Sequence, residues 1–166
     1  MGLFSKKYKS SGSSNKYANH PEVLEQMAAR VARCALAQLR DDLKPGDEGT
    51  TWITHGGWCI SVDNQPERTS YRGHYTSYGI KYNDFGMEDV PYGEEALFLK
   101  AFAPYLDAQI KALVGKYFPG GYGSASYTLY EQEHYRDTDT EMVPAIEVSV
   151  PAATKHKPAE PTYKSW

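Results

Sequence analysis

The chain has 166 residues, a formal net charge of −3 and 14 tyrosines, and 13% of it is aromatic. Leu, Ile, Val and Phe number only 28. With a high net charge so low a share would indicate disorder, but here the charge is small and the rings supply the missing apolar area, so one folded domain is expected. No run approaches the ~20 apolar residues of a membrane span, and the first residues lack the apolar stretch of a secretory signal. A cytoplasmic protein is expected, with a virion or host-delivered setting equally compatible.

Only two cysteines occur, Cys34 and Cys59. Secreted scaffolds carry more, so both are read as reduced thiols. The charge is unevenly placed. Residues 1–19 hold Lys6, Lys7, Lys9 and Lys16 and no acid, a net of +4. Residues 151–166 hold Lys155, Lys157 and Lys164 against Glu160, a net of +2, leaving −9 on 20–150. The division is therefore a flexible Ser/Lys-rich arm (1–19), an α+β domain (20–150) and a Pro/Lys-rich tail (151–166). Phe4, Tyr8, Tyr17, Tyr163 and Trp166 stand among those lysines. An aromatic in a basic arm is a candidate anchor, on a partner or on the acidic body.

The first helix is predicted over 21–43. Asn19 or His20 suits its cap and Pro21 its first turn, and Pro45-Gly46 stops it. Leu24, Met27, Val31, Ala35 and Leu39 form a buried stripe, with Arg30, Arg33 and Arg40 off it. Residues 51–62 read as one strand with Trp52, Trp58, Ile60 and Val62 facing the core and Gly56-Gly57 as a bulge. Asp63-Asn64-Gln65-Pro66 is turn chemistry, and 70–82 reads as the second strand of a long hairpin. A second helix is predicted over 92–117, its stripe being Leu99, Phe102, Leu106, Ile110, Leu113 and Tyr117. Pro104 inside it predicts a kink or a split. Strands follow over 124–135 and 142–150, the latter with Met142, Ile146, Val148 and Val150 on one face. The two helix–strand–strand units repeat with a spacing of about 73 residues, within the few-residue error of such boundaries. The expected fold is a single α+β domain ordered α-β-β-α-β-β, with a four-stranded, mainly antiparallel sheet and both helices on one face.

The least ordinary segment is 68–82, with Tyr71, Tyr75, Tyr78 and Tyr82 among Arg68, Arg72, His74 and Lys81 and no acid. Rings stack bases and cations track phosphates, so an exposed strand of this kind suits single-stranded nucleic acid. The net −9 of the body argues against that, and tyrosine also simply favours strands. Ile80 shares parity with Arg72, His74, Tyr78 and Tyr82, which marks that set as buried. Tyr71, Tyr75 and Lys81 then form the exposed set, and Tyr71, Arg72, His74, Tyr75 and Lys81 are the candidate binding residues. Cys59 with His74 is the least needed for thiol catalysis. His55 lies about 13 Å from Cys59 along a regular strand. Glu131 and Glu133 share one face, followed by Asp137, Asp139 and Glu141, without the spacing of a known cation loop. No catalytic residue, metal ligand set or cofactor motif is identified. The sequence therefore suggests a non-enzymatic binding protein that acts through protein–protein contacts, as an accessory, inhibitor or assembly component. The alternatives are a single-stranded nucleic-acid or nucleotide binder on strand 68–82 and a small hydrolase using Cys59 and His74.

Overall fold

In the computed structural model the described residues are 15–42, 49–55, 57–63, 77–133 and 140–150. They form an α+β fold of two helices and one antiparallel sheet. Helix α1 spans Pro21–Asp42 and α2 spans Glu95–Tyr117. The strands are β1 (Gly49–His55), β2 (Cys59–Asp63), β3 (Ser77–Lys81), β4 (Ser124–Glu133) and β5 (Thr140–Val150). They lie in the order β3-β2-β1-β5-β4. The sheet therefore has five strands rather than the expected four, and the element order is α-β-β-β-α-β-β.

The extra strand arises because the chain reverses between His55 and Cys59 instead of bulging within one strand, and Gly57 in that turn takes φ +89°, which favours glycine. Trp52 then pairs with Asp63 and His55 with Ile60. Because the chain reverses, the inward parity changes across the turn. Thr51 and Ile53 face the core on β1, and Ile60 and Val62 on β2, all essentially inaccessible. Trp52 is only half-buried, and Trp58, at the turn, is 55% exposed. Their expected burial is thus corrected for both residues.

Register places Ile53, Val62, Ile80, Ile146, Val148, Val150 and Ala125 on one face of the sheet. All seven are buried. Helix α2 packs over β4 and β5, α1 lies over β1 and β2, and the two helices pack on each other. The close approach of α2 is visible at Gly123. An added Cβ there would sit 3.1 Å from Ile110 Cγ2 and 3.1 Å from the Ser149 carbonyl, so only glycine fits without displacement.

The helix stripes match their expected residues, except that Leu113 is only half-buried. Two helix details differ. Pro104 does not split α2, which runs unbroken from Glu95 to Tyr117 with Pro104 on its exposed side. Arg40 is buried to 7% exposure, not solvated off the stripe. Ala37, Gln38 and Leu39 beside it are buried as well, and the Arg40 guanidinium lies 5.1 Å from the Tyr117 ring. At the start of α1, the His20 carbonyl accepts from Leu24 N–H (3.1 Å), which makes His20 the cap residue.

Candidate functional site

Of the residues expected to bind or to anchor, only Lys81 and Tyr17 lie among the described ones. Tyr71, Arg72, His74, Tyr75, Phe4, Tyr8, Tyr163 and Trp166 lie outside them. Lys81 is exposed at the end of β3, between buried Ile80 and buried Tyr82, so the alternation expected there holds for these three residues. Its ammonium stands 5.9 Å from the centre of the Trp58 ring. The backbone joins the two segments as well, because Tyr82 N–H donates to the Trp58 carbonyl (3.2 Å). The hairpin turn is pinned further by Val90 N–H, which donates to the Gly57 carbonyl (2.9 Å). An exposed indole with a cation at its side is thus held on a fixed turn at the β2–β3 end of the sheet.

Cys59 and His55 do not form a couple. They sit on adjoining strands, where His55 pairs with Ile60 and Cys59 with Lys81. Register puts His55 on the helix-covered face and Cys59 on the opposite one. Cys59 is 6% exposed. Burial pushes its thiol up, against the opposing effects of Ser61 and Lys81, so the sulfur stays protonated at neutral pH and is a poor nucleophile. Its other expected partner, His74, lies outside the described residues. Cys34 and Cys59 are both free thiols.

The His55 ring is 5% exposed. Nδ1 accepts from Gly57 N–H (3.1 Å), so the neutral ring carries its proton on Nε2. Nε2 stands 3.8 Å from Glu95 Oε2, beyond hydrogen-bond reach, and has no hydrogen-bond partner among the described residues. Burial lowers the imidazole pKa and Glu95 partly opposes that.

The segment before α1 does dock on the body. Lys16–Asn19 form a 3-10 turn in which Tyr17 is buried. Tyr17 lies edge-on to Phe98 at 5.4 Å and donates its hydroxyl to Glu94 Oε1 (2.5 Å). Lys16 Nζ reaches the same oxygen at 3.0 Å. Asn15 Nδ2 donates to the Leu97 carbonyl (2.7 Å). The anchor role weighed for Tyr17 is thus met within the chain. Beside it opens a cavity of about 350 Å³ lined by Tyr17, Leu24, Met87, His20, Glu88 and Asp89, among others.

Glu131 is exposed on β4, and Glu133 lies two residues along the same strand. Among the described residues no group of three or more His, Cys, Asp or Glu converges to hold a metal, and no helix is long and apolar enough to cross a membrane. Pattern alone did not single out Trp58, Tyr92, Tyr122 and Leu129 as exposed large apolar residues, or Met142 as 57% exposed although it shares the face of Ile146. The Gly-Gly pair before Trp58 was the available signal for the first. Compared with known protein families, curated proteins and solved structures, the chain matches none.

Proposed function

We propose that this is a non-enzymatic binding protein that acts through protein–protein contacts. The observation that supports this reading is Trp58, 55% exposed on a turn fixed by backbone bonds to Tyr82 and Val90. A folded chain gains by burying an indole, and a rigid exposed Trp is the residue type that anchors interfaces. Its neighbour Lys81 supplies a charged rim beside the apolar ring.

A photo-crosslinking residue at Trp58, expressed in the native cell, tests the proposal. The expected result is a discrete protein adduct, absent when the same residue replaces exposed Glu22 on α1. Failure to form that adduct at Trp58, Tyr92 and Tyr122 alike overturns the reading. The same Trp58–Lys81 pair favours a second reading, a single-stranded nucleic-acid surface with the indole stacking a base and Lys81 meeting a phosphate. A nuclease-sensitive adduct and a salt-dependent gel shift select that one instead.

A further inference from the structure

We infer that His55 is a proton-operated latch on the turn that carries Trp58, holding that surface ready for its partner when the ring is neutral and releasing it when the ring is protonated. This gives the Trp58 surface a means of regulation, and it rests on the protein–protein reading of that surface.

The latch consists of contacts made at the turn itself. His55 ends β1 and Cys59 begins β2. Gly57 N–H donates to His55 Nδ1 (3.1 Å), so a strand side chain holds the backbone of the turn. The Gly57 carbonyl accepts from Val90 N–H (2.9 Å), and the Trp58 carbonyl accepts from Tyr82 N–H (3.2 Å). Of these bonds, the one to His55 has a titratable acceptor and the others do not. Gly57 already sits at φ +89°, and glycine has other backbone conformations within easy reach once a restraining bond is lost.

A second arrangement of the ring stands ready beside the first. Glu95, the first residue of α2, places Oε2 3.8 Å from His55 Nε2. In the neutral ring Nε2 carries the proton and Nδ1 offers its lone pair to Gly57. Uptake of a proton from solvent forms an N–H bond at Nδ1 and breaks no covalent bond. An imidazolium has two donors and no acceptor. Nδ1 then meets the Gly57 N–H donor to donor, while the positive ring is drawn toward the Glu95 carboxylate. Protonation thus exchanges a bond to the turn for an ion pair with α2.

The surroundings of the ring leave that exchange to Glu95. On the helix-covered face the register sets Ile60 beside His55 and Ile80 beyond it, both buried and apolar. Buried Val90 meets the turn from the segment after β3. Glu94, next to Glu95, is engaged by Lys16 and Tyr17. Among the described residues Glu95 is the one charged group whose field reaches the ring. The imidazole is 5% exposed and the carboxylate 27%, so water reaches the pair from the Glu95 side. Burial lowers the imidazole pKa and Glu95 opposes this only in part. The latch is therefore closed at neutral pH and opens below the ordinary imidazole range.

The test follows the His55 ring, the Gly57 amide and the Trp58 indole of the full chain by NMR from about pH 8 to about pH 5. The expected result is a neutral ring protonated at Nε2 and one midpoint shared by all three signals. The Gly57 amide should lose protection on the acid side, after correction for its intrinsic exchange rate. His55→Asn keeps an acceptor oxygen near the place of Nδ1 and removes the titration, so Gly57 and Trp58 should cease to respond to pH. Glu95→Gln removes the counter-charge and should move the shared midpoint to lower pH. The adduct formed from position 58, in lysate held at either end of the range, should fall several-fold on the acid side and stay level in His55→Asn. A Gly57 amide or Trp58 indole that ignores the His55 midpoint, or that still titrates in His55→Asn, overturns the inference and leaves the adduct reading standing. A shared midpoint with no adduct at either pH overturns that reading instead, and with it the release of a partner.

Discussion

Tyr82 and Tyr17 offer the same chemical deletion with opposite expected signs. Both rings stand edge-on to Phe98, at 5.3 and 5.4 Å. The Tyr82 hydroxyl is fully buried and has no hydrogen-bond partner among the described residues. Keeping such a hydroxyl from water costs about 1–3 kcal/mol. Phenylalanine retains the ring and removes the cost. The void left is one oxygen in size, and at ~24 cal/mol per Å³ it costs a few tenths of a kcal/mol. Tyr82→Phe should therefore stabilise the protein by about 1 kcal/mol or more. Tyr17→Phe removes a hydroxyl that donates to Glu94, and it should destabilise. Urea unfolding of the two variants and the parent, with matching slopes, gives both values. A loss of about 1 kcal/mol or more in Tyr82→Phe would mean that the hydroxyl is hydrogen-bonded after all, and the reasoning fails.

Ile110 lies wholly buried between α2 and the sheet, so Ile110→Ala should cost about 2–5 kcal/mol; a change under about 0.5 kcal/mol, the range of surface positions, would place α2 in solvent. Trp58→Ala should change stability by about 0.5 kcal/mol or less, as surface changes do, while eliminating partner binding; a large drop in the melting midpoint would make the indole a structural residue. For His55, burial lowers the folded-state pKa below the unfolded value, so the unfolded chain binds the proton more readily. The resulting stability is complete above the ordinary imidazole value and is lost as pH falls below it. His55→Gln should flatten the melting midpoint over that window relative to the parent, and parallel pH profiles would refute the assignment.

The helices were legible because their apolar stripes repeat at the helical period and the sheet needs one covered face. Leu24, Met27, Val31, Ala35 and Leu39 are all buried as that period requires. The β1–β2 hairpin was misread because Ile60 and Val62 share parity with Trp52. The opposing evidence, Ile53 on the other parity just before Gly56-Gly57, is a single residue. Pro104 does not end α2. It lies on the exposed side of the helix, which the sheet and α1 hold together on its other faces. The exposure of Trp58 and the outer position of β4 both follow from which strands become neighbours. That order depends on β5 inserting beside β1, a long-range choice that local pattern does not carry.

That insertion also sets a schedule for synthesis. Gly49 pairs with Val150, and Ile53 with Ile146. The middle of the sheet is thus closed by segments about a hundred residues apart. A ribosome adding roughly 5–20 residues per second leaves β1 without its β5 neighbour for about 5–20 s after β1 itself is made. Over that interval α1 and the β1–β2 hairpin lack the cover that α2 and β5 later provide, and α2 arrives before the strands it sits on. The nascent chain is therefore open to chaperones, and to pairing with other unfinished copies, until its last strand has been made.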